Sequence, residues 1–536
     1  MTDTLKQFIL SHRCEDGFIE GRLSSSAVST AVACVALELY GGHDAAVSAG
    51  RKWLMEHKNE DGLYGDSPES PTNLTATFLA YAALRKSHAG AVREAEDYLM
   101  RTFGGLDFES VRAGLLKEYG RDLTFSVPLL ALATASGFFP DAVYAWRNMP
   151  NFPFEASLLP ESWFKFLNLP VVSYAIPALI CVGLAQLKYR PNRLRALAVK
   201  KALRVLSEKQ PEDGGFLEAA PLTGFCVICL CAAGLREHPA AGLAVRFLAG
   251  SQRPDGSWPI DRDLRLWTTS LALDALAPAL SGEEKAFYRA RLLSAQTKTV
   301  HPFTRSEPGG WAWTTHSGGV PDADDTSAAL IALHGLGEPA SDPVCRGIAW
   351  LLNLQNSDGG IPTFCKGWGR LPFDRSCPDI SAHAYKAFSL YEDGLPPALK
   401  RRVARAKQRI LRYLRAVQRP DGSFIPLWFG DQTNSAKEAP AYGSAVVLSH
   451  LGGTDQPFLE KTRAYLRSVR GKDGLWGTVC VSARCAAALN LDGAFLKPFA
   501  ERPESLPVEP IGLYFAHLWY SEELYAPVFL AKAVVS

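Results

Sequence analysis

Three aspartates stand close together in the stretch GGWAWTTHSGGVPDADDTSAAL, residues 309–330: Asp322, Asp324 and Asp325. They directly precede an alanine-rich apolar run that predicts a buried helix. One aspartate there is a normal helix cap, because the unpaired N–H groups of a helix start favour an anion. Capping needs only one of the three, whereas carboxylates a few ångströms apart disfavour each other's ionisation and retain a proton. The spacing therefore suggests a carboxyl group that keeps a proton, with helix capping and solvated charge as the structural alternative.

The elements that position this group are indicated by an internal repeat. Asp-Gly pairs recur in a constant setting, each after an amphipathic helix pattern and before a helix pattern rich in alanine and leucine. Glycine reaches positive φ without strain and aspartate can bond the backbone that follows it, so each pair predicts a turn. The pairs are Asp16-Gly17, Asp61-Gly62, Asp213-Gly214, Asp255-Gly256, Asp358-Gly359, Asp421-Gly422 and Asp473-Gly474.

The alternation of polar-faced and small-residue helices predicts an all-α protein. An outer and an inner ring of helices form an α-α barrel, and period-two strand patterns are nearly absent. The repeat spacing predicts two such barrels, the first over residues 15–250 and the second over residues 1–14 and 251–536. The first helix is therefore expected to pack on the distant half of the chain.

The composition excludes several classes of function. A formal net charge of +2 leaves no global field for nucleic acid or an anionic membrane. The 11 cysteines form no disulfide framework and no secretory signal opens the chain, which favours a cytoplasmic setting. The apolar run at residues 171–187 contains Pro177 and is short of the about 20 residues that a bilayer span needs. A buried helix is expected there, with peripheral membrane association as the alternative.

Motifs for common cofactors are absent from the sequence. No phosphate-binding loop or dinucleotide fingerprint is present. Cys226, Cys229 and Cys231 lie in an apolar helix pattern without a second matching pair, so zinc is not expected. We therefore predict no metal site and no required cofactor.

Several segments, in matching order, resemble class II terpene cyclases and squalene-hopene cyclases in particular. PDADDTSAAL resembles their D-x-D-D-T catalytic motif, and the repeats resemble their QW motifs. The other similar segments are GGWAW before the aspartates, CPDISAHAY at 377–385, WFG at 428–430 with AYGSA at 441–445, and the tail GLYFAHLWYSEELYAPVFLAKAV. The likeness covers most of the chain and is strongest from residue 258 to residue 531.

The resemblance implies a reaction that begins when a carboxylic acid protonates an alkene or an epoxide. It implies that Asp324 is the proton donor, with Asp322 and Asp325 as its neighbours. It also implies that His383 hydrogen-bonds one oxygen of Asp324 and so sharpens the acidity of the remaining proton. The alternative for His383 is an ordinary core histidine.

Two further polar residues are implicated near this donor. The resemblance implies that Tyr442 supports reprotonation through water. Asp379 stands four residues before His383 and shares its face if the helix is continuous, so it could fix the orientation of the imidazole.

Protonation would leave a carbocation that water quenches, so the resemblance implies a dry, aromatic cavity. Aromatic faces stabilise a cation by about 0.5–2 kcal/mol each. Large aromatics also line ordinary cores, which is the alternative for each of them. The candidates are Trp267, Trp313, Phe364, Trp428 and Tyr520.

The sequence departs from the family pattern in ways that affect the substrate. The chain is shorter than typical triterpene cyclases, and Glu509 and Leu513 stand near positions where hopene-forming enzymes have phenylalanines. A smaller substrate or earlier termination is expected. The loop CKGWGRLPFDRSCPD carries Lys366, Arg370 and Arg375, which could hold a diphosphate, with Mg²⁺ assisting, or form a solvated surface loop. Both interpretations stay open.

The expected activity is proton-initiated cyclisation of a linear isoprenoid, either squalene or a farnesyl- or geranylgeranyl-type diphosphate that stays intact. One alternative is a protein prenyltransferase β-subunit-like barrel, which needs an Asp-x-Cys zinc pair that the sequence lacks. A second alternative is a non-catalytic barrel that binds lipid or protein.

Overall fold

The computed structural model describes residues 3–120, 123–159, 163, 176–302, 305–363, 374–507, 511–513 and 518–535. The described residues form two rings of helices with an inner and an outer layer, which confirms the predicted all-α fold with α-α barrels. Within these ranges, no helix is long and apolar enough to cross a membrane.

The first ring has an inner layer whose helices contact one another in a closed circle among the described residues. Its inner helices are Ala27–Tyr40, Leu74–Leu84, Leu123–Ala135, Ile176–Tyr189 and Ala220–Ala233. The helices around them are Asp44–Glu56, Arg93–Phe103, Phe108–Tyr119, Ala142–Asn148, Arg193–Lys209 and Pro239–Gly250.

The second ring closes in the same way, and its last inner helix contacts its first. Its inner helices are Arg265–Leu276, Ala323–Gly335, Pro378–Tyr391, Pro440–Leu451, Val479–Ala488 and Tyr525–Val535. The helices around them are Asp3–Ser11, Gly282–Ser294, Asp342–Leu354, Pro397–Val417, Phe458–Ser468 and Lys497–Ala500.

Short elements complete the fold. Strand Ser25–Ser26 pairs antiparallel with Trp258–Pro259, and Ile511–Leu513 pairs antiparallel with Leu518–Tyr520. Short 3-10 helices occur at Ala89–Ala91, Phe154–Leu158, Phe216–Glu218, Ala277–Ala279, Glu392–Gly394, Gly493–Leu496 and Pro503–Ser505.

The inner helices are buried on nearly every side, which explains their composition. All residues of Leu74–Leu84 except Leu74 are buried, so the helix has no polar face to show. Hydroxyl groups inside this layer bond the preceding turn instead of water: Ser327 Oγ donates to Ala323 O over 2.6 Å. The described part of the apolar run at 171–187 belongs to the buried helix Ile176–Tyr189, as predicted, and residues 171–175 lie outside the described residues.

The Asp-Gly turns are confirmed at all seven places. Each glycine has positive φ, between 77° and 98°. Each aspartate accepts a hydrogen bond on Oδ1 from the backbone N–H two residues later, as Asp255 does from Ser257 over 2.9 Å. The repeat therefore fixes the turn that joins an outer helix to the next inner helix.

The glutamine and tryptophan of the repeats tie the layers together. Gln252 Nε2 donates to Ala46 O and Gly256 O, and Trp258 Nε1 donates to Leu248 O at the end of an outer helix. Gln296 makes the same pair of bonds, to Gly309 O and Pro343 O. The sequence search missed this repeat because its turn has Pro-Gly-Gly in place of Asp-Gly.

The buried apolar residues form two clusters, one over residues 27–258 and the other over residues 5–23 and 264–533. Leu5 and Ile9 of the first helix are fully buried in the second cluster, against helix Tyr525–Val535. The exact bounds of the two domains remain a prediction.

Candidate active site

The three aspartates lie at the start of inner helix Ala323–Gly335. Asp322 is the N-cap, and its Oδ1 accepts a hydrogen bond from Asp325 N over 2.8 Å. Its backbone is held by Trp311 O, which accepts from Asp322 N over 3.1 Å, and the next residue donates to Thr363 O. Asp322 therefore caps the helix, and capping does not account for Asp324 and Asp325.

Asp324 and His383 are joined directly. His383 lies on the neighbouring inner helix Pro378–Tyr391, and its Nδ1 is 2.6 Å from Asp324 Oδ1. The side chain of His383 is 9% exposed and that of Asp324 is 25% exposed, because Asp324 faces an internal cavity. The predicted partnership of these two residues is therefore present.

The neighbouring carboxyl groups are held in an environment that favours their protonated forms. Burial, and then the charge of Asp324, raises the pKa of Asp322 to about 7, against the opposing effect of its hydrogen bonds. Burial and the charge of Asp322 raise the pKa of Asp325 well above its usual range. Because these carboxyl groups interact strongly, they titrate as one cluster that retains a proton near neutral pH.

Asp379 does not contact the imidazole, contrary to the sequence prediction. Its carboxylate accepts a hydrogen bond from the thiol of Cys377, and no described residue links it to His383. Burial, and then the charge of Asp324, raises the pKa of Asp379 to about 6. The shared helix face brings Asp379 near Asp324, so it adds to the acidic cluster rather than orienting the histidine.

Tyr442 lies beside this cluster in the second ring. It is 4% exposed and stacks on Phe429, with ring centroids 4.2 Å apart. Burial raises the pKa of Tyr442 well above its usual range, so the hydroxyl keeps its proton. The described residues show no direct hydrogen bond from Tyr442 to Asp324 or His383, and its role in reprotonation stays a prediction.

A second histidine lies behind His383, and the sequence reasoning did not select it. The ring centroids of His450 and His383 are 4.8 Å apart, and His450 Nδ1 donates to Val446 O over 2.7 Å. Burial, followed by the nearby His383, lowers the pKa of His450 well below its usual range. His450 is therefore neutral, so it places no charge beside His383.

A cavity of about 310 Å³ lies between the two rings. Asp324 opens into it together with Asp322 and Asp325, and most other lining side chains are apolar. The first ring contributes Val28, Leu79, Tyr119, Phe125, Leu129, Leu222 and Phe225 to the wall, among others. Both barrels therefore contribute to the largely apolar wall around Asp324.

The substrate-binding residues predicted from the sequence fall into two groups: those that line the cavity, and those that are exposed or lie outside the described residues. Trp267, Trp313, Trp428 and Tyr520 all line the cavity, as expected from their predicted roles. Phe364, Lys366 and Arg370 lie outside the described residues. Arg375 is exposed and is not among the lining residues.

Other aromatic lining residues were not selected from the sequence. Phe429 and Tyr525 were within segments noted for their family likeness, and Tyr525 accepts a 2.7 Å hydrogen bond from Trp267 Nε1. Tyr119, Phe125 and Phe225 belong to the first ring. No motif marks those three, because they stand among many apolar residues of similar helices.

The charge of the cavity has one sign. Among the described lining residues, the acidic side chains are Asp261, Asp322, Asp324 and Asp325, and no lysine or arginine is present. Such a wall attracts a cation and repels a diphosphate. A diphosphate would therefore need contacts outside the described wall.

Comparisons with known proteins agree with this fold. The model of the squalene-hopene cyclase C-terminal domain matches residues 265–492, and that of the prenyltransferase alpha-alpha toroid domain matches residues 3–114. A squalene-hopene cyclase of Alicyclobacillus acidocaldarius is 24% identical over 84% of this chain and 78% of its own length. A terpene cyclase-glycosyl transferase fusion protein of Humicola fuscoatra is 25% identical over 89% of this chain, which spans 42% of that protein.

A shorter relative and a solved structure complete the comparison. A drimenyl diphosphate synthase of Streptomyces showdoensis is 29% identical over 45% of this chain and 41% of its own length. The structure of an ent-copalyl diphosphate synthase from Streptomyces platensis shares the fold, with a TM-score of 0.53 and 18% identity, over 99% of this chain and 96% of that chain. The fold, the site and these matches together define a class II terpene cyclase. Within that class, residues 265–492 are similar to the C-terminal domain of squalene-hopene cyclases.

Proposed function

We propose that this protein cyclises a linear isoprenoid polyene by protonating it, with Asp324 as the general acid. The observation that carries the proposal is the 2.6 Å contact between Asp324 Oδ1 and His383 Nδ1 at the wall of a largely apolar cavity that several aromatic side chains line. An acid that must protonate a weak base such as an alkene needs both a retained proton and a stabilised conjugate base. The carboxyl cluster favours the retained proton, and the hydrogen bond from His383 stabilises the conjugate base.

The proton transfer follows from this geometry. With Nδ1–H of His383 donating to Oδ1 of Asp324, the transferable proton lies on Oδ2. As that proton moves to the terminal alkene or epoxide, negative charge develops on the Asp324 carboxylate, and the hydrogen bond from His383 strengthens. Catalysis then comes from an interaction that is stronger in the transition state than in the ground state.

The cation formed in this way moves through a cavity suited to it. Trp267 and Trp313 present aromatic rings, each able to stabilise a cation by about 0.5–2 kcal/mol, and more when desolvated. The carboxylates at the same wall add long-range attraction. Ring closure by attack of successive double bonds then competes with quenching, because a mostly apolar wall offers water few partners.

The substrate in this proposal is a linear isoprenoid whose apolar chain fills the cavity, either squalene or a prenyl diphosphate that remains intact. An apolar and acidic wall fits a hydrocarbon chain, and a diphosphate group would have to lie away from it. Lys366 and Arg370, which lie outside the described residues, remain the candidates to hold such a group. In this proposal the proton transfer needs no cofactor, and Mg²⁺ matters only for a diphosphate substrate.

Replacement of Asp324 by asparagine tests the proposed general acid. Asp324→Asn removes the transferable proton at nearly constant volume, and we expect product formation to fall by about 10²–10⁴-fold. The assay is incubation with squalene, farnesyl diphosphate or geranylgeranyl diphosphate, followed by mass spectrometry. Asp342→Asn is the matched control, because Asp342 is in the first turn of an outer helix and exposed.

The outcomes separate the proposal from its alternatives. In D₂O, the wild-type product should carry one deuterium that the substrate lacked, since the initiating proton comes from Asp324. Full activity of folded Asp324→Asn, or a wild-type product without that deuterium, would contradict proton initiation by Asp324. If none of the three substrates is consumed, the substrate class is wrong.

A further inference from the structure

A fourth aspartate lines the same cavity but is not part of the initiating cluster. Asp261 lies between strand Trp258–Pro259 and helix Arg265–Leu276 and is one of the lining residues. Its carboxylate makes no hydrogen bond or ion pair with any described residue. It is partly accessible because it faces the cavity rather than the protein exterior.

The contrast with Asp263, two residues later, shows that Asp261 is not a structural carboxylate. Asp263 accepts from Thr314 Oγ1 over 2.8 Å, contacts His316 Nε2 at 2.9 Å and pairs with Arg265 at 3.2 Å. A carboxylate that faces an apolar cavity without such partners loses solvation and gains nothing for stability. A functional reason is therefore required for Asp261.

The position of Asp261 is fixed by the backbone on both sides. Ala220 N donates to Ile260 O over 3.0 Å, and Ala219 and Asp261 form an antiparallel bridge. These contacts tie the segment to the first ring, while helix Arg265–Leu276 belongs to the second. The carboxylate is thus held at the junction of the two barrels, on rigid backbone.

Other groups in the described wall are poor proton acceptors. Burial raises the pKa of the Tyr520 and Tyr525 hydroxyls far above their usual range, so they stay protonated. Asp322 and Asp325 belong to the cluster that starts the reaction. The charges of Asp261, Asp325, Glu522 and Asp322 add to the effect of burial on the pKa of Tyr520.

We infer that Asp261 is the general base that ends the reaction by removing a proton from the last carbocation. This inference rests on the proposed cyclisation. A C–H bond next to the cationic carbon breaks, its electron pair forms the new C=C bond, and the proton goes to a carboxylate oxygen of Asp261. Asp324 has given up one proton and Asp261 has gained one, so the overall reaction is an isomerisation that needs no oxidant or reductant.

The electrostatic environment agrees with this role. Burial, and then the charge of Asp263, raises the pKa of Asp261 to about 7. A base with a pKa near the working pH is partly ionised and still accepts a proton readily. Before it reacts, the carboxylate also attracts the positive charge toward its end of the cavity.

The experiment compares the products of Asp261→Asn with those of the wild type. Asparagine keeps the shape of the side chain and cannot accept the proton. We expect Asp261→Asn to consume substrate at no less than about a tenth of the wild-type rate, since initiation at Asp324 is intact. We expect its main olefin to fall at least about tenfold relative to water-quenched alcohols and other alkene isomers. Asp393→Asn on the fully exposed surface is the control for charge removal.

Each outcome decides the matter. An unchanged product distribution in Asp261→Asn overturns the inference, and so does loss of substrate consumption in a folded variant, because initiation does not use Asp261. Asp261→Glu, which restores a carboxylate, should recover the deprotonated olefin at least in part, and failure to do so counts against a base at this position. If the wild type itself consumes no isoprenoid, the proposed cyclisation has failed and this inference falls with it.

Discussion

The hydrogen bond between His383 and Asp324 gives the sharpest prediction. His383→Leu removes the donor and leaves Asp324 in place. A hydrogen bond to a charged group contributes about 1.5–3 kcal/mol, and here the charge develops only in the transition state. At about 1.36 kcal/mol for each factor of ten, kcat should fall by about 10- to 160-fold. KM should change little, because the substrate does not touch the bond.

A second substitution at the same position separates the donor from the bulk of the ring. In His383→Asn, Nδ2 can occupy the place of the imidazole Nδ1, so a donor to Asp324 Oδ1 is retained. We expect kcat of His383→Asn to lie within about fivefold of the wild type, by the same conversion from free energy to rate. His334→Asn is the control, because His334 is an exposed histidine on the helix that carries Asp324.

Steady-state kinetics at saturating substrate, with thermal unfolding as the check on folding, measures these values. A fall of less than threefold in His383→Leu would refute the reasoning. Equal losses in His383→Leu and His383→Asn would also refute it, since shape rather than hydrogen bonding would then be responsible.

Two further predictions concern stability and the cavity wall. Burial, and then Asp213, raises the pKa of Glu218 to about 9 from its usual 4.5. Between these two pH values the folded state binds more protons than the unfolded state, so the stability of the protein falls as the pH rises from one value to the other. The thermal midpoint of the wild type should therefore drop more between pH 5.5 and 8.5 than that of Glu218→Gln. The amide oxygen of this variant can still accept the hydrogen bond from Gly318 N. An equal drop in both proteins would contradict a raised pKa for Glu218. Trp267→Leu should lower kcat by about 2- to 30-fold through the loss of one cation–π contact, whereas Trp267→Phe should keep most of the rate. Product formation measures both rates. Equal rates for the two variants would show that no aromatic face is needed at this position.

Much of the fold was predictable because its determinants are local. Asp-Gly turns depend on glycine's access to positive φ and on a side chain that bonds its own backbone, and both are properties of short sequence stretches. The first-ring cavity wall was not predictable in this way. Helices such as Leu74–Leu84 are buried all round, so their sequence shows no face that marks the cavity.

The site was predictable in part for a similar reason. The cluster around Asp324 has a dense acidic spacing that stands out in the sequence. The role of Asp379 was misjudged, because a separation of four residues places two side chains on one helix face but does not decide which third group each one reaches. Asp261 was overlooked because a single aspartate in a loop has no local signature, and only the closure of two barrels around it gives it an apolar setting.

The packing of helix Asp3–Ser11 against helix Tyr525–Val535 has a consequence for synthesis on the ribosome. At about 5–20 residues per second, Leu5 and Ile9 leave the exit tunnel on the order of half a minute or more before their partners are made. The first ring can close during that interval, whereas the second ring must wait for its final helix. Nascent chains halted before Tyr525 should therefore expose Leu5 and Ile9 to chaperones, and release of the last segment should be the event that withdraws them.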